Sequence, residues 1–226
     1  MVRLARTLFA LIFIAAIAIP LTAQDYDENS HLNTNLAFPV SVPVGTTSQF
    51  VQWGTGVTGG AGYNFNKNNA FVGEVMWNWL YPTDQSLAPL RNALSAGGLN
   101  GHSNFFAFTA NYKFEMRGRK FGGYLIGGPG VYYRNASLSA NVTPAAGTPC
   151  TNAWLWWGFD CGGGFVLVKT HSVFDTATLG GNAGAGFTIK VGPEPRYRLY
   201  FEARYHYAPL TNFPVRVIPI TTGIRF

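Results

Sequence analysis

The feature that most restricts what this chain can fold into is a two-residue alternation whose polarity runs opposite to that of a soluble sheet. Successive side chains of a strand point to opposite faces. Over residues 197–207 this puts Tyr197, Leu199, Phe201, Ala203, Tyr205 and Tyr207 on one face, and Arg198, Tyr200, Glu202, Arg204 and His206 on the other. Residues 177–191 repeat the pattern, with Leu179, Ala183, Ala185, Phe187, Ile189 and Val191 opposite Thr178, Gly180, Asn182, Gly184, Gly186, Thr188 and Lys190. Residues 51–65 set Trp53, Val57, Tyr63 and Phe65 against Gln52, Thr58, Asn64 and three glycines. The polar face carries the small residues, as though it were the crowded side. That inversion predicts a closed membrane barrel with small polar residues inside and bulky apolar ones facing lipid.

Composition agrees. The 226 residues are 47% hydrophobic and 15% aromatic but only 12% charged, against roughly a quarter charged in ordinary soluble domains. Disorder is excluded, and the 27 glycines follow no collagen period. Sixteen basic residues against ten acidic ones leave +6, scattered along the chain without the clustered basic face that nucleic acid requires. Nucleic acid is therefore not an expected partner.

The first 23 residues have the order of a secretory signal peptide: Arg3 and Arg6, an apolar run over 8–19, then Pro20, Leu21, Thr22 and Ala23 before a polar stretch. The apolar run is shorter than the ~20 residues a spanning helix needs, so cleavage after Ala23 is expected rather than a signal anchor. Residues 24–35 are expected to be an N-terminal periplasmic segment and 36–226 the barrel domain. Beyond the signal no apolar stretch is long enough to span a bilayer as a helix, which leaves the closed barrel as the membrane solution.

Further strands are expected over 71–81, 104–115, 121–134 and 215–226. The faces of 121–134 cannot be assigned from its pattern. Short connections at 66–69, 116–120 and 192–196 alternate with long ones at 82–103 and 135–175, as periplasmic turns and extracellular loops do. Parity then demands a strand before residue 51, for which 36–44 is the candidate, although Pro39 and Pro43 each remove a ladder donor. The expected fold is all-β, an antiparallel up-and-down transmembrane barrel of eight strands. Ten is the alternative, because the second long loop holds the apolar run 165–168.

Cys150 and Cys161 are the only cysteines, and ten residues separate them inside that loop. In a secreted chain they are expected to form a disulfide, worth about 3 kcal/mol by loop entropy. Between them stand Trp154, Trp156, Trp157 and Phe159. Two readings stay open: a stapled surface hairpin that meets an extracellular ligand or lipid, and rings packed down on the barrel rim.

The inward faces carry Glu74, Lys113, Lys190, Arg198, Glu202, Arg204 and Arg225. An eight-stranded barrel is just wide enough for side chains to fill, so a salt-bridged polar core without a continuous pore is expected. A narrow channel is the rival reading, and its five bases against two acids would favour anions. The four histidines show no metal-ligand spacing, and no cofactor is expected. His206 with Glu202, or His171 with Ser172, is the only arrangement resembling a catalytic pair, and neither makes an enzyme the expected reading. Residues 180–186 superficially resemble a dinucleotide glycine fingerprint but open no helix.

Three segments together resemble a known family. Ile218-Pro219-Ile220 through Gly223-Ile224-Arg225-Phe226 looks like the C-terminal strand of outer-membrane barrels. Gly184-Ala185-Gly186-Phe187-Thr188 and Tyr200-Phe201-Glu202-Ala203-Arg204-Tyr205-His206-Tyr207 resemble the penultimate hairpin of small OmpA-like and OmpX-like barrels. The resemblance implies the outer membrane of a Gram-negative-type cell, assembly by the barrel-assembly machinery through Phe226, and a surface, structural or small-channel role. It carries no catalytic residues. A monomer in the outer-membrane lipid bilayer is expected.

Overall fold

A computed structural model describes residues 31–88, 99–142, 167–191, 197–209 and 214–226. Eight antiparallel strands follow one another around a closed barrel: β1 Leu32–Pro43, β2 Gly54–Asn64, β3 Asn69–Leu80, β4 Leu99–Arg117, β5 Phe121–Val142, β6 Leu167–Val191, β7 Tyr197–Ala208 and β8 Val215–Arg225. The ring closes through β1 and β8, in register from Asn35↔Arg225 to Pro43↔Val217. Thr34 and Phe226 extend that seam by exchanging backbone hydrogen bonds of 3.2 and 2.9 Å. Both barrel termini therefore lie at the end where the connections are short, and the longer connections share the opposite end.

The strand count is eight, not ten. Leu167 and Val168, from the apolar run that suggested an extra hairpin, instead open β6, where they pair with Val142 and Asn141 of β5. Much of the expected loop 135–175 is thus ladder, running from Asn135↔Asp175 outward with one register shift between Leu138 and Ser139. β4 likewise begins at Leu99, inside the expected loop 82–103. Residues 135–141 do alternate, with Asn135, Ser137, Ser139 and Asn141 at one parity and Ala136, Leu138 and Ala140 at the other, but small residues make the contrast weak and backbone pairing with β6 carries the strand on.

β1 starts at Leu32, within the stretch expected to be a periplasmic segment, and its prolines leave a visible mark. The β1–β2 register passes from Ala37↔Thr58 to Val40↔Thr55, skipping Pro39, which has no N–H to give. Beyond β1, Thr47–Phe50 forms one helical turn, α1. Thr47 ties it to β8, donating to Pro214 O at 3.0 Å and accepting from Arg216 N at 3.0 Å. Gln52 and Trp53 precede β2, so Gln52 is not inward: it is exposed, its backbone N–H bonded to Tyr81 O at 2.7 Å. Thr83 N–H in turn donates to Phe50 O at 2.9 Å, which joins the first two long connections into one ledge.

The wall has the inverted polarity that the alternation predicts. Leu36, Phe38, Leu125, Leu179 and Ile220 are 53–74% exposed on the outside, while Asn78 and Asn111 are fully buried and Lys113 and Glu115 are 1% exposed inside. Outward aromatics gather toward the two ends. Tyr63, Phe65, Phe71, Tyr112, Tyr197 and Phe226 ring the short-turn end, and Trp77, Trp79, Tyr81, Phe106, Tyr133 and Tyr207 the other. Trp77 stacks on Phe106 at 5.5 Å, and Tyr197 meets Phe226 edge-on at 5.8 Å.

Candidate functional site: the filled lumen

The lumen is stacked in three layers, each set by the inward parity of the strands. Under the long connections Met76, Leu80, Phe105, Tyr132, Val215 and Val217 form an apolar layer, in which Phe105 stacks on Tyr132 at 5.7 Å. Tyr132 carries its hydroxyl down to His206 Nδ1 at 3.2 Å, linking this layer to the polar one below.

The middle layer centres on Arg204 of β7, whose guanidinium crosses the lumen to hydrogen-bond Glu74 on the opposite wall, β3. Its Nη2 and Nε also hold Glu202 Oε1, at 2.6 and 2.8 Å. Both carboxylates accept further hydrogen bonds. Glu74 accepts from Asn35 Nδ2 at 3.2 Å and Asn111 Nδ2 at 2.9 Å, and Glu202 accepts from the Tyr124 hydroxyl at 2.9 Å. Asn182 Nδ2 donates to Asn111 Oδ1 at 2.8 Å, carrying the network to β6. Small residues make this possible: a Cβ at Gly186 would lie 2.5 Å from the Tyr124 hydroxyl, and one at Gly60 would lie 2.6 Å from Glu74 Cγ.

The lower layer, next to the short turns, centres on Glu115 of β4. Arg225 of β8, again on the opposite wall, donates from Nη1 to Glu115 Oε2 at 3.1 Å. Lys113 Nζ lies 3.1 Å and Arg117 Nε 3.4 Å from the same oxygen, and the Thr188 hydroxyl donates to Oε1 at 3.3 Å. The Arg225 guanidinium sits over the rings of Tyr124 and Tyr200 at 5.2 and 5.4 Å.

The sequence-predicted lumen residues divide accordingly. Glu74, Glu202 and Arg204 meet in the middle layer, and Lys113 and Arg225 in the lower one. Lys190 and Arg198 face each other in register at the short-turn rim, half-buried, with no ion pair among the described residues. Glu115 is the functional residue the sequence reading missed, though the parity of Lys113 already pointed it inward. Tyr124 and Tyr132 could not be found, because glycines 127, 128 and 130 erase the alternation of β5. His206 is committed to Tyr132 and Glu202 to Arg204 and Tyr124, so the two do not form a catalytic pair. Cys150, Cys161, Trp154, Trp156, Trp157 and Phe159 lie outside the described residues, as does the segment 1–30, and His171 lies where side chains are not described.

Chemically, the two cross-lumen ion clusters act as struts. Buried ion pairs add little net stability, but losing one partner strands a charge and is strongly destabilising. The space remaining among Glu74, Thr109, Arg204 and Thr221 is about 10 Å³, near the minimum for one water. Among the described residues no group of His, Cys, Asp and Glu is placed to hold a metal.

The fold and lumen define a small eight-stranded up-and-down barrel with an ionic interior and an apolar wall. No protein-family model and no curated protein matches the sequence. Among solved structures, the barrel is similar to the attachment invasion locus protein Ail of Yersinia pestis, with 14% identity, TM-score 0.46, and coverage of 86% of this chain and 97% of that one. Neisserial surface protein A gives 14%, 0.44, 87% and 96%, and OprG of Pseudomonas aeruginosa gives 13%, 0.45, 86% and 95%.

Proposed function

We propose that the chain is an outer-membrane β-barrel protein with a structural or surface-interaction role, exported by its first 23 residues and folded by the barrel-assembly machinery acting on the Phe226 end. One observation carries the membrane reading: large apolar side chains cover the outside of a closed barrel whose inside is charged. Water would penalise that wall, and a bilayer solvates it. A soluble lipocalin-like barrel would need the opposite facing. The aromatic belts sit where the two membrane interfaces would fall. The expected topology places the short turns in the periplasm and the long connections outside the cell. The loop around Cys150 and Cys161 is then the surface offered to an extracellular ligand.

The packed lumen supports a structural or surface role over a narrow channel, because an apolar layer and two ion clusters stand in series along the axis. The deciding experiment is gel mobility of unboiled and boiled samples from washed outer membranes, followed by conductance in planar bilayers. A faster unboiled band in the membrane pellet, with no steady conductance, is the expected result. A soluble periplasmic protein with unchanged mobility overturns the membrane reading. Conductance that changes on neutralising Arg204 or Lys113 replaces the structural role with the channel.

A further inference from the structure

The short-turn mouth of the lumen is over-supplied with cations. Lys113, Arg117, Arg198 and Arg225 surround Glu115, the one acidic side chain at this mouth among the described residues. Glu115 Oε2 is already within 3.4 Å of three of them, and Arg198 takes no part in that cluster. Register makes the crowding worse. Arg198 stands directly opposite Lys190 on β6 and opposite Arg225 on β8, so three like charges occupy adjacent positions around the wall. Like charges directly opposite one another destabilise a sheet. Arg198 Nη1 and Arg225 Nε are buried without a hydrogen-bond partner, Arg117 Nε has only its 3.4 Å ion pair with Glu115, and Arg225 as a whole is only 8% exposed. These groups line a void of about 10 Å³, together with Asn33, Asn64 and Phe226. That is room for one oxygen-sized atom at its depth.

From this geometry we infer that the short-turn mouth is a binding site for a phosphate-class oxyanion, clamped by Arg117, Arg198 and Arg225. Guanidinium groups hold oxyanions through paired, charge-assisted N–H···O bonds. One anion oxygen placed among the three would accept from the unpartnered Arg198 Nη1 and Arg225 Nε and offset the repulsion along β6, β7 and β8. Glu115 lines the same void, but three cations already neutralise it. The inference concerns the lumen mouth alone and is independent of what solvates the outer wall.

The test uses barrel purified from cells expressing the full-length chain and folded in dodecyl maltoside micelles, which carry no phosphate. Its urea unfolding midpoint is followed as potassium phosphate replaces potassium chloride at constant ionic strength. The midpoint is expected to rise and saturate. Arg198→Gln, which breaks no internal bond, is expected to weaken half-saturation roughly tenfold, the scale of one charge-assisted hydrogen bond. Lys67→Gln, an equal charge change in the exposed β2–β3 turn, is expected to leave it unchanged. Should Arg198→Gln not fold, phosphorus NMR line broadening on the unaltered barrel, reversed by sulfate, supplies the readout. Repeating the titration in phosphatidylglycerol vesicles separates the sources. A response already saturated there assigns the oxyanion to lipid headgroups, and an unchanged response assigns it to free phosphate. A flat midpoint without line broadening, or equal losses in Arg198→Gln and Lys67→Gln, overturns the site.

Discussion

Arg204 shows how much one side chain can decide in a narrow barrel. It is 5% exposed and is the cation shared by Glu74 and Glu202 on different strands. Replacing it by Met leaves two carboxylates facing each other in a buried site. Arg204→Met is therefore expected to lower stability by about 3–5 kcal/mol, read as a lowered urea midpoint of the reconstituted barrel. Adding Glu74→Gln and Glu202→Gln should recover most of that loss, since amides need no counter-charge. Glycine acts at the same scale through volume. In Gly186→Leu the new side chain must occupy the place of the Tyr124 ring, driving the Tyr124 hydroxyl away from Glu202. Overpacking of this kind costs about 1–3 kcal/mol, and the loss should appear in the same midpoint together with altered near-ultraviolet tyrosine dichroism.

At the scale of elements, legibility followed the contrast between the two faces. In β7 every outward residue is apolar or aromatic and the inward ones include Arg198, Glu202, Arg204 and His206, so its bounds and facing could be read directly. In β5 the run Gly127-Gly128-Pro129-Gly130 has almost no side chains to compare, and apolar Leu125 and Ile126 sit on opposite faces, 62% and 5% exposed. No pattern distinguishes them before the ring closes. The outer halves of β5 and β6 were hidden for a different reason: 135–141 alternates only small polar residues with two alanines and a leucine, and 167–176 mixes apolar and polar residues at both parities, so both read as loop. The β5–β6 connection is also where the disulfide is expected. Alkylation without reductant should leave Cys150 and Cys161 unmodified in exported protein, and reductant should expose two thiols by mass. Two thiols reactive from the start would remove the staple.

At the scale of the whole molecule, the wall must match its solvent. Ile220 lies at the middle of β8 and is 55% exposed, whereas Tyr207 lies in the aromatic belt near the long-connection end. If the wall is lipid-facing, Ile220→Arg should cost about 2–4 kcal/mol in folding into phospholipid, and Tyr207→Arg about 0–1 kcal/mol. Equal, small effects at both positions would mean that the wall faces water. Charge organisation also belongs to this scale. Arg204–Glu74 and Arg225–Glu115 each join strands on opposite sides of the ring. Such partners are 130 and 110 residues apart in sequence, so nothing local in the chain pairs them.

The sequence by itself determined the inside and the outside. A two-residue period with Gly, Asn, Thr and ionic residues on one face and bulky apolar ones on the other admits a closed barrel with a filled polar lumen, and the turn lengths ordered its strands. Only the tertiary structure decided which charges meet, because pairing across a lumen depends on the stagger around eight strands, which no single strand encodes. It made Glu115 the anchor of the lower cluster and left Arg198 facing other cations. It also continued β5 and β6 into stretches whose small or mixed residues give too weak a contrast to read, since backbone hydrogen bonds extend a ladder whatever the side chains.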